Sequence, residues 1–212
     1  MLFFSFGYAQ LSETDTILVT KNFKFKDGVY LSFEAFQQNK PDYSWKEVSS
    51  SVFINGDSFM SKAEDFILKT GGKVNFEDIW GFSFSGIPYI RIRNKADFAT
   101  FAAIRVRGEL CYFIYTEEVE KWIVIKAYNP VDGRPFRTGK VLKKESLVRE
   151  KMLYFKTGKI EDFSVANFLP IVEKKDEQLW NALKDLSTEE ARGKLFKCLL
   201  IYDDRHAVFT KE

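Results

Sequence analysis

The chain has 212 residues, 45% of them hydrophobic and 29% charged, with a formal net charge of +2. A chain of this length buries about 70% of its unfolded surface, so neither a metal nor a disulfide is needed to hold it folded. The ordinary apolar content and near-neutral balance exclude a disordered or uniformly polycationic chain.

Two features depart from the ordinary. The 22 Phe, 9 Tyr and 4 Trp make up 17% of the sequence, and rings that bury about 150–250 Å² each point to an aromatic-rich core. Charge is also unevenly placed. Residues 121–160 carry eleven Lys or Arg against three acids, whereas the 120 residues before and the 52 after each sum to −3. Such a segment either attracts anions or forms a solvated face.

In chain order, residues 2–8 are apolar or small, and Gly7 and Ala9 stand two apart before Gln10. That is the pattern a signal peptidase reads, so residues 1–9 are expected to be the remnant of a signal peptide and the chain to be exported to the periplasm or beyond. The alternative is a first β-strand or a disordered end. Nowhere do about 20 apolar residues run together, so no transmembrane segment is expected. Thr16–Thr20 reads as a strand and Asp27-Gly28 as a turn, and Ser32 is placed to cap a short helix through Phe36 that ends before Pro41. Val52–Ile54 followed by Asn55-Gly56-Asp57 predicts a strand and tight turn. Residues 62–80 show no clean period.

The middle predicts strands at about 87–93, 98–107, 109–116 and 120–128. Alternation in Tyr89-Ile-Arg-Ile-Arg93 puts the two isoleucines on one face and the two arginines on the other. Leu110–Tyr115 and Trp122–Ile125 are apolar on both faces, so both are expected to lie centrally, covered on both sides or inside a curled sheet. Asn129–Pro135 is a loop. Toward the end, a helix is expected from Ser164 to about Pro170, another on Leu179, Leu183 and Leu186, and a last one opened by the capping-box pattern Ser187-Thr-Glu-Glu190. The inner stripe of that last helix is Ala191, Leu195, Cys198, Leu199 and Tyr202. The fold class is therefore α+β: a mainly antiparallel, curled sheet with C-terminal helices packed on it, in one domain over 10–212, β-rich to 158 and helical from 159.

Three stretches carry a likeness. Phe25–Phe36 leading to Asn39-Lys-Pro41, Trp80–Ile90, and the charged helical end after Thr157-Gly-Lys159 together resemble a broad group of uncharacterised exported proteins from Bacteroidota. The resemblance implies export and a shared fold, and brings no activity or site residue with it.

Chemistry-bearing patterns are scarce. The single histidine, His206, sits in Asp203-Asp-Arg-His206 and cannot supply a multi-histidine metal site. Gly81-Phe-Ser-Phe-Ser85 departs from the nucleophile elbow, with Ser85 where a glycine belongs. Cys111 lies in an apolar strand, where burial works against a thiolate, and Cys111 and Cys198 read as two buried thiols or, in an exported chain, a pair. The 12 glycines form no phosphate loop. No cofactor and no metal are implied, and a non-catalytic binding protein of the cell envelope is the expected function, with an enzyme whose site is assembled from distant residues as the lesser alternative. One candidate surface is Trp80, Tyr89, Arg91 and Arg93, aromatics beside two arginines suited to an anionic or protein ligand; its alternative is core packing with solvated arginines. A second is the basic stretch Arg134, Arg137, Lys140, Lys143, Lys144, Arg149 and Lys151. That stretch suits anionic lipid, polysaccharide or, in a chain that is not exported, nucleic acid.

Overall fold

The computed structural model describes residues 16–94 and 97–211; the expected signal-peptide remnant at 1–9 lies outside the described residues. Among the described residues the first strand is β1 (Thr16–Val19), followed by β2 (Gly28–Tyr30) and the helix α1 (Phe33–Gln37). Ser32 caps α1 by accepting the Ala35 amide at 3.1 Å. Gly28 is required where it stands: its φ is 152°, and a Cβ there would run into the Tyr43 carbonyl and Pro41.

Short strands come next: β3 (Val48–Ser49), β4 (Val52–Asn55), β5 (Met60–Ala63) and β6 (Ile67–Leu68). The Asn55 side chain accepts the amides of Asp57 and Ser58, which closes the β4–β5 turn. The main sheet continues with β7 (Gly81–Phe84), β8 (Ile87–Asn94), β9 (Ala99–Val106), β10 (Leu110–Tyr128), β11 (Pro135–Tyr154) and β12 (Ile160–Asp162). Its hydrogen-bonded order is β12-β11-β10-β9-β8-β7-β2, antiparallel throughout. One edge of β9 is divided. Residues 99–102 pair with β5, while Ile104 and Val106 pair with β10.

Three helices follow: α2 (Val165–Lys175), α3 (Glu177–Leu183) and α4 (Thr188–Arg205). Both halves of the Ser187–Glu190 capping box form at the start of α4. All five residues of its expected inner stripe are buried. The segment after 159 is not wholly helical, however. It also holds β12 and a last strand, β13 (Val208–Lys211), which returns to pair antiparallel with β1. Short strands that complete an edge borrow their stability from the partner, so their own sequence marks them weakly.

Burial falls into three clusters. The helices α2–α4 cover one side of the sheet, where Phe168, Leu183, Leu195 and Tyr202 meet Val106, Leu110, Tyr112 and Met152. A second cluster packs α1, β1 and β13 with Phe113, Leu153 and Phe155. The third gathers Phe66, Ile79, Phe82, Tyr89 and Phe101. The rings are in close contact; Phe36, for example, stacks on Phe25 at 4.4 Å and on Trp80 at 4.5 Å. Truncating such a ring costs about 3–5 kcal/mol.

The largest departure from expectation is in β10. Two strands were expected at 109–116 and 120–128; one unbroken strand of 19 residues forms, paired along its length with the 20 residues of β11. Only its first part is covered. Leu110–Phe113 are buried, but Trp122, Val124 and Ile125 are exposed, Trp122 by 65%.

Candidate functional site

The aromatic half of the first candidate surface does not assemble. Trp80 packs against the second cluster, stacked on Phe36, whereas Tyr89 is buried in the third, stacked on Phe82 at 4.8 Å. The Arg91 guanidinium donates to the Phe76 carbonyl. A bulge between Arg91 and Arg93 places them opposite Phe101 and Thr100, consecutive residues of β9, so strict alternation ends there, yet both arginines line one shallow depression of about 340 Å³ with Glu77 and Ile92. Arg93 is exposed and reaches a cleft of about 370 Å³ beside Met60, Phe98, Tyr115 and Glu118, at the point where the edge of β9 divides.

The second candidate set lies on a prominent feature. Beyond Phe113, β10 leaves β9, and before Lys151, β11 has no pairing with β12. Thr116–Val148 is thus a two-stranded ribbon, and the paired part from Glu117 to Tyr128 reaches roughly 40 Å at strand rise. Cross-strand partners share a face. One face carries the rows Glu118–Ser146, Glu120–Lys144, Trp122–Leu142, Val124–Lys140 and Lys126–Thr138. The other carries Glu117–Leu147, Val119–Glu145, Lys121–Lys143, Ile123–Val141 and Ile125–Gly139. The basic stretch is therefore split by strand alternation: Lys140 and Lys144 on the first face, Arg137, Lys143, Arg149 and Lys151 on the second, and Arg134 in the turn. Two of these are already engaged at the root, Arg149 with Glu117 at 2.9 Å and Lys151 with Asp162 at 2.6 Å.

The ribbon is polarised. Its root holds Glu117, Glu118, Glu120 and Glu145, while residues 121–144 hold seven cations against Asp132 alone. Trp122, Val124, Tyr128, Leu142 and Val148 are exposed on the first face, and Val131 at the tip is 91% exposed. Charge marks the lysines and arginines in the sequence, whereas Trp122, Leu142 and Tyr128 carry no such mark. Their apolar period looked like that of a covered strand, and nothing local distinguishes the two cases.

Reactive groups elsewhere are tied into the framework. Ser83 is buried, and its hydroxyl donates to Asp27 Oδ1 at 3.2 Å. Cys111 and Cys198 are free thiols in different clusters on opposite sides of the sheet, so the pairing considered for them does not form. Burial pushes the Cys111 thiol up to about 12. His206 stacks on Tyr202 at 4.2 Å, with Nε2 3.6 Å from Asp176 Oδ2. Asp176 caps α3 through the Leu179 amide and accepts from Arg205 at 3.0 Å. The Asp203 carboxyl accepts the Leu110 amide and lines a cavity of about 230 Å³ with Arg107. Among the described residues no cluster of His, Cys, Asp or Glu is arranged to hold a metal ion, and no helix is long and apolar enough to cross a membrane.

No protein-family model, curated protein or solved structure matches the chain.

Proposed function

We propose that the chain is an exported, non-catalytic interaction protein of the bacterial cell envelope, and that the β10–β11 ribbon is its binding element. One observation carries this reading: over Thr116–Val148 the ribbon has no strand beside either edge among the described residues, and it leaves Trp122, Val124, Leu142 and Val148 exposed. A lone two-stranded ribbon is marginally stable in water. Each large apolar side chain that a partner covers contributes about 1.5–3 kcal/mol, and tryptophan flanked by cations is the composition of binding hot spots. Export rests on residues 1–9 and on the resemblance described above. The non-catalytic reading draws support from Ser83, Cys111 and His206, each of which is held in packing or hydrogen bonding.

The test is a photo-crosslinking residue placed at Trp122 in native cells, with the exposed Phe53 as the control position. Adducts of higher mass from position 122 alone are expected; their absence would end this reading.

A second reading is favoured by the charge of the outer half: seven cations against one acid suit an anionic lipid, a polysaccharide or, for a chain retained inside the cell, nucleic acid. Because the cations lie on both faces, such a ligand would wrap the ribbon or thread beside it. Salt-sensitive retention on heparin tests it.

A further inference from the structure

We infer that the cavity of about 230 Å³ between the end of β9 and the last turns of α4 is a binding site for a small zwitterion, a free α-amino acid with an aliphatic side chain. The site lies apart from the ribbon. The end of β1 with the two residues after it, and the residue before β13, complete its walls. Two opposite charges stand in this cavity without meeting. Arg107 donates through Nη1 to the Phe23 carbonyl at 2.6 Å, while its Nε is buried and has no partner. Asp203 accepts the Leu110 amide on Oδ1, while its Oδ2 is buried and has no partner. Among the described residues neither side chain forms an ion pair. Folded proteins match nearly all of their buried polar groups, so two orphans of opposite sign in one cavity call for a ligand that carries both counterparts.

A carboxylate suits the guanidinium of Arg107, which grips planar anions with parallel N–H bonds, and Lys21 adds a second cation to the lining. An ammonium group suits Asp203 Oδ2, with Asp204 as a second acid in the lining. A lone carboxylate would leave Asp203 unmatched, and a lone amine would leave Arg107 so. The rest of the wall is aliphatic, with Leu18, Val19, Val106 and Leu200, and no ring lines it although 17% of the chain is aromatic. The space is smaller than the roughly 300–1,000 Å³ of pockets for drug-sized ligands and equals the share of about seven waters, which suits a single amino acid. Asp203 also gives the ligand a signature. Burial, with Glu109 and Asp204 nearby, raises its carboxyl to about 7; Cys111 and Tyr202 also feel its charge, and Arg107 and Lys21 share the cavity. An ammonium beside Asp203 favours the ionised form, so binding near neutral pH releases protons. A ligand held only as an anion would take them up.

The experiment is titration calorimetry of the full chain near neutral pH, in two buffers of different ionisation enthalpy, backed by melting curves. The probes are L-leucine, isocaproate, which lacks the amine, and isoamylamine, which lacks the carboxylate. Leucine is expected to bind with proton release and to raise the melting temperature. Each one-ended analogue is expected to bind weaker by on the order of tenfold or more, since it leaves one buried charged group unmatched. Asp203→Asn should weaken leucine by a similar factor and abolish the proton release. Arg107→Gln should weaken leucine and isocaproate and leave isoamylamine unchanged. Circular dichroism shows whether the variants fold; should they not, the three probes on the parent chain decide alone. Neither heat nor a melting shift from leucine at millimolar concentration would mean that water alone fills the cavity, and would overturn the inference. Isocaproate as tight as leucine, or proton uptake on binding, would overturn it in favour of a plain anion site.

Discussion

Asp203 accepts the amide of Leu110 at 2.9 Å, and so the last turns of α4 are tied to the first residue of β10. The arrangement needs Gly108, since a Cβ at that position would run into the Asp203 carboxyl group. Burial, with Glu109 and Asp204 nearby, raises the Asp203 carboxyl to about 7. The folded group therefore keeps its proton at pH values where the unfolded one has lost it, and stability falls as pH rises from about 4 toward neutrality. Asp203→Asn preserves an acceptor for Leu110 and removes the titration. Urea unfolding should show a flatter pH dependence between pH 4 and 7, with the variant more stable than the parent at pH 8. A variant with the parent's pH profile would show that Asp203 does not titrate in that window.

Asp176 has the opposite sign. Burial alone would raise its carboxyl, but the Leu179 amide, Arg205 and His206 bring it below the usual carboxylate range. Its contribution is therefore present above the unfolded pKa of about 4 and lost as pH falls through the folded value. Asp176→Ala removes a helix cap and a paired carboxylate together and should cost about 1–3 kcal/mol at pH 7. The cost should shrink in acid; an equal loss at pH 3 and pH 7 would count against an ionic contribution.

Removing the ribbon should leave the fold standing. Among the described residues, none of Glu117–Leu147 belongs to any of the three buried clusters. Replacing residues 118–146 by Asn-Gly should form a tight hairpin on the Glu117–Leu147 pair. The melting temperature should stay within a few degrees, on the order of 1 kcal/mol for a chain of this size. Cooperative unfolding lost in the shortened chain would show that the ribbon has a part in the core.

Heparin retention should follow the outer cations. Replacing Arg134, Arg137, Lys140, Lys143 and Lys144 with serine is expected to shift elution to lower salt and flatten the salt dependence, roughly in proportion to the charges removed. Arg149 and Lys151, already paired with Glu117 and Asp162, should matter less. Retention unchanged in the five-fold variant would dismiss the anionic-polymer reading.

The two thiols should be silent in the native protein. Cys111 is fully buried, and burial raises both thiols. An aromatic disulfide reagent at pH 8 should label neither rapidly and both after unfolding. Fast labelling of Cys198 in the folded chain would indicate opening of α4.

Much of the architecture was legible because its signals are local. Ser32 and Ser187 mark helix starts by the side-chain oxygen they offer, and the stripe from Ala191 to Tyr202 repeats at helical spacing, so both helices form as expected. The breaks in expectation are tertiary. Trp122–Ile125 has the composition of a covered strand, and only the pairing of its neighbours reveals that nothing covers it. Trp80 and Tyr89 were expected to share a surface, but their rings fill two different clusters, and the bulge between Arg91 and Arg93 is visible only in the pairing of β8 with β9. β13 could not be foreseen as the partner of β1 either, since the two are separated by nearly the whole chain.

The divided edge of β9 bears on the order of assembly. The β4–β5 hairpin precedes β10 in the chain and occupies β9 from Ala99 to Ala102, and Met60 Sδ accepts the Thr116 amide at 3.5 Å just where β10 turns away. The hairpin thus acts as a stop: β10 zips along β9 only as far as Phe113 and is then deflected outward. Without that stop, the remaining edge would be open to β10, and the arm would be drawn down onto the sheet. The reach of the ribbon is in this sense set by four residues that lie outside it.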